Sequence, residues 1–326
     1  PLFCRSQADL ARGDGSRRGK LLRLLSEDLD FHTEASGYSS HNYHSFPAKF
    51  PPQLPRKFIE GLTARDDVVL DPMSGSGTTV LEALLAGRRG IGFDIDPLAL
   101  LLSQVKVRPL EVHEARQVGF RVLRQAEASV AQRAAELSAE MKERFDSRTM
   151  EFINYWFLPQ TQVELLALLK AIEQVENPSV RAFLRLVFSA IIITKSGGVS
   201  LARDLAHTRP HRVDQKTPRS ALTEFEKRLR KNLEGLKALG AGPGQTRVCC
   251  GDAQHLPLAS ASVDLIVTSP PYASNAIDYM RGHKFSLVWF GYPVDDLGMR
   301  RKGYIGGEST AAFAFEELPP LAQGIV

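Results

Sequence analysis

Residues 68–79 read VVLDPMSGSGTT, and this stretch decides the fold of the 326-residue chain. The apolar residues 68–70 predict a short buried strand, a glycine-rich turn follows, and residues 79–86 have the apolar spacing of a helix. A second predicted strand, 89–95, carries Asp94 near its end. This order of strand, glycine-rich turn, helix and strand with a terminal acid is how a doubly wound α/β sheet builds a nucleoside site.

The glycines of the turn explain why a ligand can approach the backbone there. Gly75 and Gly77 can adopt positive φ angles and present N–H groups at a helix start, where a carboxylate or phosphate is favoured. We expect Asp94 to accept both hydroxyls of a ribose. Val80 replaces the third glycine of G-x-G-x-x-G, and Thr78 replaces the lysine of a P-loop. A turn that merely joins strand to helix is the alternative for this segment taken alone.

A second informative segment, Ser269-Pro270-Pro271-Tyr272, follows the predicted strand 263–268. The two prolines fix φ and stiffen the turn. The Ser269 hydroxyl and the Pro270 carbonyl can accept both hydrogens of an exocyclic base amine, while Tyr272 stacks on the base. Such a turn would catalyse by positioning and electrostatics. The alternative is a proline-rich turn with an exposed tyrosine.

The remaining sequence divides the chain into four predicted parts. Residues 1–40 form an N-terminal arm with one short helix, 20–29, and residues 41–110 form the cofactor-binding half of the core. Residues 111–245 form a helical insertion, with predicted helices 112–145, 161–176, 180–194 and 220–239. Residues 246–326 form a catalytic half with strands 246–252 and 263–268 and a helix 274–290.

No strand is predicted beyond Gly291, so we expect this half to be incomplete, with the C-terminal strands of the sheet missing from this chain. We therefore expect the polypeptide alone to be marginally stable or to self-associate through an unfinished sheet edge.

These motifs resemble those of the S-adenosylmethionine-dependent amino-group DNA methyltransferases. Residues 71–79 look like the cofactor loop of that family, and 268–272 look like its catalytic motif, with the serine typical of the cytosine-N4 branch. Residues 41–52 are similar to the N-terminal element that packs on the methionine end of the cofactor. The resemblance implies a class I methyltransferase fold, a Rossmann-like doubly wound sheet with a helical insertion, using S-adenosylmethionine and no metal.

The resemblance also implies the site residues. Asp71 would engage the methionine amino group, Gly75 and Gly77 the carboxylate region, Asp94 the ribose and Asp252 the adenine amino group. The full set implied for cofactor binding is Tyr43, Phe46, Ala48, Lys49, Asp71, Met73, Gly75, Gly77, Thr78, Thr79, Asp94 and Asp252. The catalytic set is Ser269, Pro270, Pro271 and Tyr272.

The implied function is site-specific methylation of the N4 amine of cytosine in a flipped base of double-stranded DNA. Three alternatives stay open: adenine-N6 methylation of DNA, guanine-N2 methylation of RNA, and a non-catalytic module that binds cofactor or DNA. Besides DNA, the candidate partners are a cognate restriction endonuclease and a second copy of the chain. The longest apolar run, 186–194, is too short to span a bilayer, so we expect no membrane helix and a cytoplasmic location.

Positive charge is concentrated in the insertion. Residues 195–231 contain ten basic and four acidic side chains, a net +6 against +4 for the whole chain. We expect DNA phosphates to be contacted by Lys195, Arg203, Arg209, Arg212, Lys216 and Arg219. The run 227–231 reads instead as a solvated helix face, and the aromatic residues of 152–157 read as core.

Overall fold

The computed structural model describes residues 16–194, 196, 198–203, 205, 210–240, 242–270 and 278–304. Within these residues the strands are β1 Val68–Asp71, β2 Arg89–Asp94, β3 Ala202–Arg203, β4 His211–Arg212, β5 Gln245–Cys250 and β6 Leu265–Ile266. The helices are α1 Arg17–Ser26, α2 Gln53–Leu62, α3 Thr78–Leu85, α4 Pro97–Lys106, α5 Val112–Arg144, α6 Ser147–Trp156, α7 Pro159–Glu173, α8 Pro178–Ile192, α9 Ala221–Leu239, α10 Tyr279–Leu287 and α11 Val294–Lys302.

Four strands form a parallel sheet in the order β5-β2-β1-β6. Val68 pairs with Arg89 of β2, and Val69 pairs with Leu265 of β6. The chain moves outward from β1 to β2 and β5, and then returns to place β6 on the other side of β1. Ligands of open α/β sheets bind at such a reversal, beyond the carboxyl ends of the strands. The predicted doubly wound α/β fold is therefore confirmed, and the reversal lies between β1 and β6.

The insertion between β2 and β5 is helical, as predicted. It consists of α5 to α9 and one short antiparallel ladder, β3 with β4. The long helix α5 is interrupted at Arg133, where φ is −134° and ψ is 27°. Most buried apolar side chains of the described residues belong to a single cluster that joins this insertion to α4 and α10. The insertion is thus packed into the same core as the end of the sheet.

Three details differ from the sequence prediction. Helices α6 and α11 were not predicted; α6 begins after Asp146, whose side chain accepts a hydrogen bond from Thr149 N at 2.9 Å. Strand β6 pairs over two residues, and Ile266 there is 58% exposed, so the apolar pattern of 263–268 overstated its length. Part of the predicted arm is docked, because Lys57 of α2 pairs with Glu27 at 2.8 Å.

The aromatic residues of α6 mostly follow the core prediction. Phe157 is buried, and Phe152 and Trp156 pack against the main cluster. Tyr155 is half exposed and lies under the Arg212 guanidinium, 4.6 Å from ring centroid to Cζ. Among the described residues, no helix is long and apolar enough to cross a membrane.

Candidate active site

A cavity of about 1070 Å³, partly open to solvent, lies at the carboxyl ends of the parallel strands. It brings together the N-terminal element, the glycine-rich turn and the start of the serine–proline segment. The predicted residues that line it are Phe46, Ala48, Lys49, Asp71, Met73, Gly75, Thr78, Asp94, Asp252 and Ser269. Gly75 and Ser269 therefore open onto one cleft. Pro270 is exposed and is not part of the lining, and Pro271 and Tyr272 lie outside the described residues.

The glycine-rich turn has the backbone conformation that its sequence requires. The φ angles of Gly75 and Gly77 are 48° and 72°. A Cβ atom at Gly77 would lie 2.9 Å from Cα of Ser103 in α4, so the turn and that helix are in backbone contact. Gly77 and the buried Thr79 do not line the cavity. They lie at the start of α3, where Gly77 is the N-cap residue, and so support the turn on the side away from the cavity.

Buried hydrogen bonds hold this turn on the sheet. Ser74 N donates to Phe93 O in β2 at 2.8 Å, and the Ser103 hydroxyl donates to Gly75 O at 2.8 Å. Lys106, which is 1% exposed, donates from Nζ to Ser76 O at 2.7 Å. Burial holds the pKa of Lys106 well below its usual range. The turn is thus fixed on both sides before any ligand binds.

Asp94 at the end of β2 is placed as a ribose acceptor requires. Its Oδ2 accepts from Gly75 N at 2.7 Å, and its Oδ1 accepts from Asp96 N at 2.9 Å. A carboxylate offers about four acceptor positions, so it has capacity for further donors from a ligand. Burial, with the adjacent charge of Asp96, raises the pKa of Asp94 to about 6.

Asp71 at the end of β1 is the second acid of the cavity. It is 2% exposed, and its Oδ1 accepts from Met73 N at 3.2 Å. Burial raises the pKa of Asp71 to about 6. A cationic ligand would favour the ionised form of this carboxyl group. The buried Asp71 and the half-buried Asp94, in a mainly apolar cleft, therefore fit a nucleoside that carries positive charge.

Three of the four cofactor residues predicted in the N-terminal element line the cavity, but Tyr43 does not. The Phe46 ring lies over the turn, 3.4 Å from where a Cβ of Gly75 would be, and it stacks on Tyr279 with centroids 5.2 Å apart. The Tyr43 ring is 1% exposed and packs edge-on against Phe183 in the main core. The 3₁₀ turn Ser39–Asn42 directs Tyr43 inward, which corrects its predicted place in the cofactor pocket.

Beneath the element lies a buried polar cluster that the sequence did not reveal. The Glu82 Oε1 atom accepts from the Tyr38 hydroxyl at 2.8 Å and lies 2.6 Å from Nε2 of His41. Burial raises the pKa of Glu82 to about 7 and lowers that of His41. The Lys49 ammonium donates to His41 O at 3.1 Å, which ties this cluster to the cavity wall.

Sequence reasoning missed the wall formed by α10, α11 and Asp96. The additional lining residues there include Asp278, Tyr279, His283, Arg301 and Tyr304. Asp96 Oδ2 lies 2.8 Å from Nδ1 of His283 and accepts from the Tyr304 hydroxyl at 2.9 Å, while its Oδ1 accepts from Leu98 N at 2.7 Å.

Burial alone would raise the pKa of Asp96, but His283 and these hydrogen bonds hold it below its usual value. The sequence signal at Asp96-Pro97 was only that of a helix start.

Among the basic side chains predicted to bind DNA, the described ones do not line this cavity. Arg203 is exposed, Arg212 Nε pairs with Asp214 at 2.7 Å, and Arg219 pairs with Glu224 at 3.5 Å. Lys195 and Arg209 lie outside the described residues.

The structure gives Lys216 a different role from the predicted one. Its ammonium donates to three carbonyls, those of Ser196 at 3.0 Å, Ser200 at 2.6 Å and Ala202 at 3.0 Å. Burial lowers the pKa of Lys216 to about 8. Lys216 therefore stabilises its own loop, and its charge is already engaged.

Comparison with known proteins agrees with this geometry. A family described as DNA methylase, which includes both N6 and N4 enzymes, matches residues 26–104, the part that carries the N-terminal element, the glycine-rich turn and Asp94. The Type II methyltransferase M.MvaI of Kocuria varians is 25% identical over 298 residues, covering 85% of this chain and 64% of the relative.

Two further Type II methyltransferases match. M.BsoBI of Geobacillus stearothermophilus is 22% identical over 307 residues, covering 86% of this chain and 59% of the relative. M.PvuII of Proteus hauseri is 47% identical over 51 residues, covering 16% of this chain and 15% of the relative. The chain thus spans about 60% of the length of the relatives that match most of it. No solved structure matches.

The parallel sheet, its reversal and the cavity at the strand ends define a class I methyltransferase fold. The family match and the Type II relatives confirm the resemblance that the motifs suggested, which is to the amino-group DNA methyltransferases.

Proposed function

We propose that this protein methylates the exocyclic N4 amine of cytosine in double-stranded DNA, at a specific sequence and on a base flipped out of the duplex. The observation that carries the proposal is the shared cavity of Gly75 and Ser269, at the ends of the neighbouring strands β1 and β6. The Type II relatives support methylation of DNA amino groups. The serine at position 269, typical of the cytosine-N4 branch that the motif resembles, favours cytosine over adenine.

The cofactor in this proposal is S-adenosylmethionine, which supplies an electrophilic methyl group when bound. Asp94 would accept from the ribose hydroxyls, and Asp71 would pair with the methionine ammonium. Phe46 would cover the methionine end, since its ring already lies over Gly75. Asp252, which lines the cavity beyond β5, would accept from the adenine amine.

The catalytic part of the proposal rests on the chain after β6. Val267 N donates to Leu70 O at 3.0 Å, so the backbone leading to Ser269 runs beside the end of β1. The Ser269 hydroxyl and the Pro270 carbonyl would hold the two amine hydrogens and turn the nitrogen lone pair toward the methyl group. We assign the stacking contact to Tyr272 and the stiffness of the turn to Pro271. The extruded base would enter the cleft from the open side.

The direct test uses the full chain, duplex DNA of mixed sequence and cofactor with a labelled methyl group. After reaction, the DNA is digested to nucleosides, and the labelled nucleoside is identified by chromatography and mass spectrometry. N4-methylcytosine is the expected product. Label found only in N6-methyladenine, or only in RNA, would refute the choice of substrate, and cofactor binding without any transfer would favour the non-catalytic module.

A pair of serine variants separates chemistry from binding. Ser269→Ala removes one preorganised hydrogen-bonding group, so we expect turnover to fall by about 10²-fold while cofactor affinity, measured by calorimetry, is unchanged. The control is Ser262→Ala, because Ser262 is exposed and its hydroxyl bonds only Ala259 O within the described structure. Parallel loss of affinity and turnover in Ser269→Ala would mean that the catalytic pocket is misplaced.

A further inference from the structure

A second cavity lies on the helical insertion, between the end of α8 and the first half of α9. It encloses about 1060 Å³ and is partly open to solvent. We call it the basic groove, and its charged lining consists of Lys216, Arg219, Glu224, Lys227, Arg228 and Lys231. Five cationic side chains therefore face one carboxylate.

The contacts within the groove leave two of these cations, the half-buried Arg228 and the exposed Lys231, without a salt-bridge partner among the described residues. Glu224 is shared by Arg219 at 3.5 Å and by Lys227 at 3.0 Å. The Lys216 ammonium is held by backbone carbonyls. Within the described part of the chain, Arg228 and Lys231 have neither an acidic partner within salt-bridge distance nor a side-chain hydrogen bond. Sequence reasoning assigned both to a solvated face.

Arg228 carries the clearest signal of a missing anion. Its side chain is half-buried, and burial lowers the pKa of its guanidinium, although the charge of Glu224, which lies beyond salt-bridge distance, raises that pKa by a smaller amount. A charged group that loses water without gaining a partner is costly, so such groups normally pair or bind a ligand. The planar guanidinium offers paired donors that match two oxygens of a phosphate.

The other groove residues extend this site along one stripe. Positions 224, 227, 228 and 231 follow the three- and four-residue spacing that places side chains on one face of a helix. The stripe from Glu224 to Lys231 is about 10 Å long at 1.5 Å per residue. Lys231 lies one turn beyond Lys227 and Arg228, so the cations are arranged along a line, as a polyanion requires.

One hydrogen bond links the helix that lines the groove to the N-terminal element. Ala190 of its lining directly follows Ser189, whose Oγ lies 2.7 Å from Nε2 of His44. His44 in turn is two residues before Phe46, which covers the glycine-rich turn. The groove and the N-terminal element are therefore both attached to α8.

We propose that the basic groove binds the phosphodiester backbone of double-stranded DNA, with Arg228 and Lys231 as phosphate ligands. This inference rests on the proposed function, because that function makes DNA the substrate. The groove fixes the position of the duplex and does not read its sequence, since backbone contacts carry no base information.

The test measures duplex binding by fluorescence anisotropy at several salt concentrations. Arg228→Ala and Lys231→Ala should each weaken binding equally for unrelated DNA sequences and reduce the slope of log K against log salt by about 1. The matched control is Arg230→Ala on the same helix. Arg230 is exposed, pairs with Glu226 at 2.6 Å and is not part of the groove, so we expect its slope to be unchanged.

Three outcomes would overturn the proposal that the basic groove binds the DNA backbone. Wild-type binding and slope in both groove variants would overturn the proposal, as would an equal loss in Arg230→Ala. A loss confined to RNA duplexes would overturn the DNA assignment. Calorimetry with S-adenosylhomocysteine checks that the variants keep a folded cavity, and Arg228→Lys should recover part of the slope. A methyl group found on adenine would refute the cytosine proposal while leaving these binding results intact.

Discussion

Replacing Gly77 by alanine should damage the protein more than the same change at Gly75, although both glycines belong to one turn. Gly77 has φ of 72°, and holding an L-residue in the left-handed region costs about 1–2 kcal/mol. The new Cβ would also lie 2.9 Å from Cα, Cβ and Oγ of Ser103. Overpacking against a helix backbone adds about 1–3 kcal/mol. The sum predicts a loss of about 2–5 kcal/mol in the free energy of unfolding.

Gly75→Ala is the matched control. Its φ of 48° carries a similar conformational cost, but its Cβ would meet the Phe46 ring at 3.4 to 3.5 Å and Met73 O at 3.9 Å, which are ordinary contacts. We expect a loss of about 1–2 kcal/mol. Urea titrations followed by far-ultraviolet circular dichroism measure both values.

Cofactor binding, measured by calorimetry, should show the opposite order. Relative to the stability that each variant loses, Gly75→Ala should weaken cofactor binding more than Gly77→Ala does, because Gly75 lines the cavity and Gly77 does not. Equal destabilisation by the two alanines would refute the account of α4 as a fixed wall behind the turn.

Two further perturbations test the electrostatics around the same turn. Affinity for the cationic cofactor should fall as pH drops from 8 to 5, because burial raises the pKa of both Asp71 and Asp94 to about 6 and the protonated acids no longer attract a cation or accept freely from a ribose. The loss is about 10-fold per carboxyl one unit below its pKa. Asp71→Asn should halve the slope of log Kd against pH, whereas a flat wild-type profile would contradict the assignment. The contribution of these two carboxyl groups to the unfolding free energy of the free protein should change in the opposite direction, rising as pH falls through 6, because the folded state binds their protons more tightly than the unfolded chain does. The difference in unfolding free energy between the wild type and Asp71→Asn, followed over pH, measures this contribution. Separately, Lys106→Met should leave Ser76 O without its buried donor, so the free energy of unfolding measured in urea should fall by about 1–3 kcal/mol. Cofactor binding measured by calorimetry should also weaken. Unchanged affinity would show that Lys106 does not hold the turn.

Local sequence was enough to predict the half of the site that lies on β1, β2 and the turn between them. Asp71 and Asp94 end apolar strands, and glycine was the required residue where φ is positive. These features depend on neighbours within a few residues, so the pattern carries them. The same reasoning placed Ser269 at the cleft, because the carboxyl ends of parallel strands meet at one edge.

The opposite wall could not be predicted in this way. His283 and Tyr304 are held at the cavity by hydrogen-bonding distances to Asp96, which is far away in the chain, and neither residue stands in a recognisable motif. Tyr43 failed for a related reason, since its aromatic motif did not show which side of the 3₁₀ turn would face the core. The position of Arg228 in a groove could not be predicted either. Helical spacing shows that charged residues share one face of α9, but it does not show that the end of α8 packs beside that face and forms a groove.

The carboxylate of Asp96 joins pieces of chain that are synthesised at very different times. Its partners His283 and Tyr304 follow it by 187 and 208 residues, with the whole helical insertion between them. A nascent chain in which the glycine-rich turn has been translated, but His283 and Tyr304 have not, therefore has only one wall of the cavity. The complete cavity can therefore form only after residue 304 has been translated, because Tyr304 is part of its wall.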